Sequence, residues 1–198
     1  MKISASIQAA NQLSLLNDIQ DNSEKFDYIH VDITDGHFTN NISMSFNVIK
    51  ELKQHTNYFV DVHLMLNENS KYAQLAFDSG ADLVVVHQES TDLEEFISLS
   101  KKYKKIGIGL LPSTSNSALK EYVTFADSVL FLGVTPGFSN QKPVVNLKEK
   151  VKDFKMLYPD FAGLLIVDGG VVNEDINDYK ELSVDIVVQG GAIFAEHS

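Results

Sequence analysis

The chain alternates short apolar segments with amphipathic ones, and this alternation limits the folds open to it. The apolar segments are rich in Val and Ile and show little polar–apolar periodicity, as in the run Leu83, Val84, Val85 and Val86. Continuous apolar strands of this kind are typical of a parallel sheet covered on both faces. We predict eight strands, at residues 2–7, 28–33, 58–64, 82–87, 105–110, 128–132, 163–167 and 185–188.

Amphipathic segments separate these strands and predict the helices of an α/β protein. They lie at residues 11–19, 45–54, 69–79, 90–103, 116–126, 145–158 and 173–182. Eight strands in alternation with helices favour a closed (β/α)8 TIM barrel over the structural alternative, an open doubly wound sheet. No linker interrupts the pattern, so we expect residues 1–198 to form a single barrel domain. At about 25 residues per unit, it is compact beside the ~250 residues of a typical barrel.

The segment after the eighth predicted strand is short. Residues 190–198 are fewer than the ~11–12 residues of an average helix. We therefore expect the barrel to have a shortened C-terminal end. A partner subunit that covers the uncovered side of strand 8 would compensate, so a homo-oligomer is the expected assembly.

Composition and charge exclude several classes of function. With 16 basic and 27 acidic residues the formal net charge is −11, so neither nucleic acid nor an anionic membrane is an expected partner. Without cysteine the chain has neither disulfides nor thiolate metal sites. It also lacks the apolar run of ~18 residues that a transmembrane helix needs and the apolar core of a signal peptide. We expect a cytoplasmic protein.

Polar side chains at the ends of three predicted strands suggest a metal site. His30 and Asp32 share one face of strand 2, and His63 and Asp168 end strands 3 and 7. In a barrel all four would converge at the C-terminal mouth, where active sites lie. Two imidazoles and two carboxylates suit one divalent ion, and Zn²⁺, Mn²⁺, Fe²⁺ or Co²⁺ all accept such ligands. Taken singly, each residue is better explained as a helix cap or a structural histidine; taken together, the four leave a metal site and structural roles equally open.

Paired glycines suggest a second site. Gly169 and Gly170 follow strand 7, and Gly190 and Gly191 follow strand 8. Glycine lets backbone N–H groups approach an anion closely, and barrels often hold phosphate in the loops after these two strands. Ordinary turns are the alternative explanation of each pair. The loop at residues 135–138 after strand 6 is a further candidate.

Several motifs together resemble the ribulose-phosphate 3-epimerase family. They are HVDITDGHF at residues 30–38, DVHLM at 61–65, TPGF at 135–138, VDGG at 167–170 and GGAIF at 190–194. The opening segment ISASI at residues 3–7 resembles the first strand of that family, including a serine at Ser6. The motifs occur in the family's order and span nearly the whole chain.

This resemblance implies a barrel of the ribulose-phosphate-binding type and an isomerase that interconverts D-ribulose 5-phosphate and D-xylulose 5-phosphate, a step of pentose phosphate metabolism. It implies one divalent metal, with Zn²⁺ expected first, held by His30, Asp32, His63 and Asp168. Asp32 and Asp168 would also be the acid and base around a metal-stabilised enediolate. The implied substrate and phosphate contacts are Ser6, His63, Met65, Thr135, Gly137, Gly169, Gly170, Gly190 and Gly191.

The chain departs from the family pattern at positions expected to line the pocket. Thr34 and Leu132 stand where methionine is usual, and Gln8 where leucine is usual. A D-allulose 6-phosphate 3-epimerase shares the same motifs and is the first alternative. A weakly active or non-catalytic phosphosugar-binding paralogue is the second. Decarboxylases of similar fold carry lysine where this chain has His63, which argues against that reaction.

Overall fold

Eight parallel strands hydrogen-bond in chain order, and the last pairs with the first, which closes a barrel. The computed structural model describes residues 1–138 and 141–194. The strands are β1 (Lys2–Ser6), β2 (Tyr28–Thr34), β3 (Phe59–Met65), β4 (Leu83–His87), β5 (Ile106–Leu110), β6 (Ser128–Leu132), β7 (Leu164–Asp168) and β8 (Ile186–Gln189). Each observed strand end lies within one residue of its predicted position. The predicted (β/α)8 barrel is therefore confirmed.

Helices follow the strands and cover the outside of the barrel. Those described are α1 (Leu15–Asp21), α2 (Phe46–His55), α3 (Asn69–Asp78), α4 (Leu93–Lys102), α5 (Leu147–Leu157), α6 (Ile176–Glu181) and α7 (Gly191–Phe194). Asp92 and Asn146 cap α4 and α5 by accepting backbone N–H bonds from the first turn. Residues 195–198, the rest of the segment predicted to be too short for a full helix, lie outside the described residues. Within the described ranges, no helix has the length and apolarity to cross a membrane.

The helix predicted at residues 116–126 is wrong. The chain forms a 3₁₀ helix at Asn116–Leu119 and continues in turns. Aromatic and β-branched residues in the second half of this segment have weak helix propensity. Two hydrogen bonds of Tyr122 hold the segment in place: its backbone N–H donates to the Leu119 carbonyl, and its hydroxyl donates to the Thr91 carbonyl. The segment covers the barrel without forming a regular helix.

Apolar side chains form two separate layers around the barrel wall. The larger layer lies between the strands and the helices and contains fully buried aromatic rings such as Phe96 and Phe154. The smaller one fills the barrel interior with residues such as Val85, Leu130 and Ile166. Strands buried on both faces explain the continuous apolar segments of the sequence.

Strand register places the polar residues of the interior next to one another. Across β2 and β3, His30 lies beside Asp61 and Asp32 beside His63. In β1, Ser6 lies beside His30. Because side chains alternate between the two faces of a strand, these residues all point into the same upper part of the barrel.

Replacing Phe154 by alanine is expected to lower the free energy of unfolding by about 3–5 kcal/mol, the usual cost of deleting a buried aromatic ring. The ring is buried and contacts the rings of Phe131 and Phe161. Urea unfolding measures the change. Met156→Ala on the same helix is the control, since Met156 is 74% exposed and its loss is expected to change stability by less than about 0.5 kcal/mol. Equal destabilisation by the two substitutions would contradict the assigned packing.

Candidate active site

Two imidazoles and two carboxylates meet at the C-terminal mouth of the barrel. His30, Asp32, His63 and Asp168 each direct one ligand atom to a common point, and these atoms lie within 4.8 Å of one another. The predicted grouping is therefore present. β2 supplies two of the side chains, and β3 and β7 supply one each.

The distances within this cluster resemble the edges of a coordination polyhedron. Oδ1 of Asp32 lies 3.3 Å from Nε2 of His30 and 3.3 Å from Nδ1 of His63. Oδ2 of Asp168 lies 3.6 Å and 3.3 Å from the same two nitrogens. A tetrahedral ion with bonds of ~2.0–2.2 Å separates its ligand atoms by ~3.3–3.6 Å. The spacing therefore fits a divalent cation among the four side chains.

One buried nitrogen has no hydrogen bond that would explain its position. Nδ1 of His63 is inaccessible to solvent and makes no hydrogen bond to the described residues, and it lies within ion-pair distance, 3.3 Å, of one oxygen each of Asp32 and Asp168. A buried polar atom without a partner is unfavourable. Bonding to a metal ion would satisfy it, which makes the donor set fit a metal that takes nitrogen and oxygen ligands.

The imidazoles and carboxylates occupy different depths. His30 and His63 are completely buried, whereas Asp32 and Asp168 are 6% and 8% exposed and line a cavity. Oδ2 of Asp32, the oxygen turned away from His63, accepts a hydrogen bond from Ser6 at 2.8 Å. Of the four groups, the two carboxylates are therefore the ones that a molecule in the cavity would meet.

Each imidazole has a partner for its other ring nitrogen. Nδ1 of His30 contacts Asp61, whose second oxygen accepts a hydrogen bond from Ser4 at 2.5 Å. Nε2 of His63 lies 2.7 Å from Nε2 of His87. Sequence reasoning did not assign Asp61 a role, although it stands two residues before His63 and so faces the same side of β3.

Charge within the cluster shifts several pKa values. Burial lowers the pKa of His30, but the charges of Asp61 and Asp32 outweigh it and hold that pKa well above its usual value. His63 shows the same balance, with Asp168 and Asp32 raising its pKa. Burial raises the pKa of Asp32, and the two neighbouring imidazoles overcome this and hold it well below its ordinary range. Without a cation, the imidazoles therefore tend to carry the compensating positive charge.

A cavity of about 530 Å³ opens in front of the two carboxylates. Its lining includes most of the predicted substrate contacts, namely Ser6, Met65, Gly137, Gly169, Gly170, Gly190 and Gly191. Among the described residues, Thr135 is not part of this lining, and His63 lies behind it in the cluster. Gln8 and Leu132, two of the departures from the family pattern, line the cavity as expected, whereas Thr34, the third, is buried outside this lining. Lys142, which sequence reasoning did not single out, also lines the cavity.

Asp35 has a structural role in the loop after β2. Its carboxylate accepts backbone N–H bonds from His37, Phe38 and Asn67 at 2.8–3.1 Å. Burial raises its pKa, and these hydrogen bonds outweigh the effect and lower it. Such contacts to nearby backbone N–H groups are typical of an aspartate in a turn.

Comparison with known proteins shows which family and fold this chain shares. The model of the ribulose-phosphate 3 epimerase family matches residues 2–194. A ribulose-phosphate 3-epimerase of Bacillus subtilis (strain 168) is 32% identical, over 99% of this chain and 93% of that protein. One from Helicobacter pylori (strain J99 / ATCC 700824) is 31% identical, over 98% and 91%. A crystal structure of 3-hexulose-6-phosphate synthase shares the fold, with a TM-score of 0.68 at 20% identity over 98% of this chain and 92% of that one.

Metal-free protein is expected to lose stability as the pH rises above ~6.5, the usual pKa of histidine in an unfolded chain. Folded His30 keeps its proton at a pH where the unfolded chain releases it. Its contribution is therefore complete below ~6.5 and disappears as the pH passes its raised folded pKa. One such proton changes the free energy of unfolding by up to about 1.4 kcal/mol per pH unit. Urea unfolding of chelator-treated protein at several pH values measures the slope.

Asp61→Asn is the comparison variant for this slope, because it removes the first of the charges that raise the pKa of His30. Its stability is expected to fall less steeply over the same pH range. Identical slopes for the two proteins would contradict the assigned electrostatic coupling.

Proposed function

Because this chain belongs to the ribulose-phosphate 3-epimerase family, we propose that it catalyses metal-dependent epimerisation at C3 of a ketose phosphate, D-ribulose 5-phosphate to D-xylulose 5-phosphate. The observation that carries the proposal is the buried cluster of two histidines and two aspartates, with an unpartnered His63 nitrogen inside it. The oligomeric assembly and the cytoplasmic location stay predictions.

His30, Asp32, His63 and Asp168 would hold the metal, with Zn²⁺ as the first expectation and Fe²⁺, Mn²⁺ or Co²⁺ as alternatives. When bound, such an ion supplies Lewis acidity that stabilises negative charge developing on the C2 ketone oxygen of the substrate. The fully buried imidazoles serve as neutral ligands. Asp61 and His87 contact their outer nitrogens and so orient the rings.

Asp32 and Asp168 are the proposed base and acid. Inversion at C3 requires a proton to leave one face of the carbon and another to arrive on the opposite face. The two carboxylates stand on β2 and β7, with β1 and β8 between them, and both reach the cavity. Ser6 donates to Oδ2 of Asp32, which orients this carboxylate for proton transfer.

The phosphate of the substrate is proposed to bind at the glycine pairs after β7 and β8. Gly169, Gly170, Gly190 and Gly191 line the cavity, so their backbone is accessible to an anion there. Gly169 and Gly170 have φ values of +96° and +73°, and a Cβ atom on Gly170 would lie 2.5 Å from the ring of Pro143. Glycine at these positions therefore permits a loop shape that other residues would strain. Lys142 adds a positive charge to an otherwise acidic protein.

Two lining residues keep the alternatives open. Gln8 places an amide in the cavity and donates to the Gly137 carbonyl at 3.2 Å, and Leu132 lies on the wall near Asp168. These positions favour testing D-allulose 6-phosphate as a second substrate. They also motivate the alternative of a phosphosugar-binding paralogue with little turnover.

Metal-stripped protein is expected to be inactive on both ketose phosphates and to regain turnover on D-ribulose 5-phosphate when a divalent ion is restored. His63→Ala should lose the ion while keeping the fold, because it removes the unpartnered ligand atom. Elemental analysis, circular dichroism and a coupled epimerase assay measure the three properties. His55→Ala is the control, since His55 is exposed on α2. Full metal retention in His63→Ala would refute the ligand assignment, and metal binding without turnover would favour the binding paralogue.

Asp32→Asn and Asp168→Asn are expected to lower the epimerisation rate by about 10²–10⁴, the usual cost of losing a positioned acid or base. With one carboxylate on each face, a variant that still holds metal should exchange the C3 proton of one epimer with solvent deuterium yet fail to epimerise. Proton NMR in deuterium oxide detects this exchange. Asp35→Asn is the control, because its carboxylate serves backbone N–H groups. If Asp35→Asn abolished exchange while the other two variants epimerised normally, the mechanism would be wrong.

A further inference from the structure

A chain of three polar side chains leads from the metal cluster to the segment that follows β4. Nε2 of His63 lies 2.7 Å from Nε2 of His87, and Nδ1 of His87 lies 2.9 Å from Oε2 of Glu89. The two rings stack with centroids 4.9 Å apart and an interplanar angle of 23°. Both imidazoles are completely buried, and the Glu89 side chain is 18% exposed. We refer to His63, His87 and Glu89 as the relay.

Counting protons along the relay leaves one arrangement for two neutral rings. An ionised carboxylate only accepts, so Nδ1 of His87 must carry a proton and donate it to Glu89. A neutral His87 then has a bare Nε2 that must accept a hydrogen bond from Nε2–H of His63. A neutral His63 in turn has a bare Nδ1. That nitrogen is the unpartnered atom that faces Asp32 and Asp168.

Glu89 is held as a carboxylate by its surroundings. Its other oxygen, Oε1, accepts the backbone N–H of Leu111 at 2.8 Å. Burial raises the pKa of Glu89, but hydrogen bonds from His87, Thr114 and Leu111 outweigh burial and lower it to about 2. Lys150 fixes the same loop by donating to the carbonyls of Leu111, Pro112 and Thr114 at 2.8–3.0 Å. The acceptor end of the relay is therefore fixed in position and in charge.

The absence of a side chain on a neighbouring strand leaves space for the imidazole of His87, the middle residue of the relay. Gly109 on β5 lies beside His87, and a Cβ atom at this position would come within 3.3 Å of Nε2 of the ring. Phe38, in the loop after β2, packs against the ring, with centroids 5.0 Å apart. Packing thus restrains His87 in the orientation that reaches both His63 and Glu89.

We propose that His87 and Glu89 are positioning residues that fix the tautomer of His63, so that its Nδ1 lone pair is directed at the metal. His30 reaches the same result with a direct carboxylate partner, Asp61. For His63 the carboxylate acts through an intervening imidazole. The inference rests on the metal site of the proposed function, and it assigns the two residues a role in metal affinity rather than in contact with the substrate.

Glu89→Gln tests the relay because Glu89 accepts two hydrogen bonds, one on each carboxylate oxygen. In Glu89→Gln a single oxygen must serve either Leu111 N–H or His87 Nδ1–H. When the amide NH₂ faces His87, the ring must take the opposite tautomer, which places a proton on Nδ1 of His63. His87→Phe preserves a flat ring in the same space and removes both hydrogen bonds.

The test is the affinity for Zn²⁺, measured by chelator competition on metal-stripped protein. Both variants are expected to bind the ion about 10–100-fold more weakly than the unaltered protein. Asp82→Asn is the matched control: Asp82 accepts the N–H of Val60 at the opposite end of β3, at 2.8 Å. This substitution should affect stability without changing metal affinity. Wild-type affinity in both relay variants would overturn the inference.

A second measurement uses the protein without substitution. In the Zn²⁺-loaded chain, long-range ¹H–¹⁵N NMR should show His87 protonated at Nδ1 and bare at Nε2, and the reverse tautomer would overturn the inference. The two proposals fail separately in these experiments. Metal binding with this tautomer but no epimerase turnover would refute the proposed function alone. A protein that bound no divalent ion would refute both.

Discussion

The arrangement of the barrel mouth depends on keeping two carboxylates, Asp32 and Asp168, charged beside each other with little solvent. Oxygens of both lie 3.3 Å from the same nitrogen of His63, and each aspartate is less than a tenth exposed. Removing carboxylates from water costs several kcal/mol per ion unless positive charge is close. A divalent cation meets that need, and in its absence protons on His30 and His63 do so in part.

A closed parallel barrel provides this arrangement because every second side chain of each strand points inward, so residues from different strands meet inside the barrel. Residues two apart on β2, such as His30 and Asp32, lie one above the other on the inner face. The register between β2 and β3 then places Asp61 beside His30 and His63 beside Asp32. An apolar cluster fills the interior below, and the cavity above leaves the carboxylates open to a substrate. The two carboxylates, proposed both to bind the ion and to transfer protons, thus lie at the cavity, and the two imidazoles that complete the ligand set lie deeper.

The barrel and the four-residue cluster could be predicted from the residue pattern. Buried parallel strands have a distinct composition, and metal ligands come from a restricted set of residue types. Prediction of local structure fails at the segment 116–126. Its apolar spacing is helical, but the segment forms a short 3₁₀ helix and turns, and Tyr122 makes a tertiary hydrogen bond to the Thr91 carbonyl. The relay shows the limit for the site. His87 ends a strand as the ligands do, but its contact with His63 depends on ring orientation and on the space beside Gly109. No local sequence pattern specifies those contacts. Substrate preference depends in the same way on the shape of the cavity, which is formed by side chains distant from one another in the sequence.

The assignment of the metal site is tested most directly by anomalous diffraction from crystals of the Zn²⁺-loaded protein, recorded at the absorption edge of zinc. We expect one strong peak at the barrel mouth, ~2.0–2.2 Å from Nε2 of His30, Nδ1 of His63 and one oxygen each of Asp32 and Asp168. A peak at another position, or zinc bound without Nδ1 of His63, would contradict the assignment.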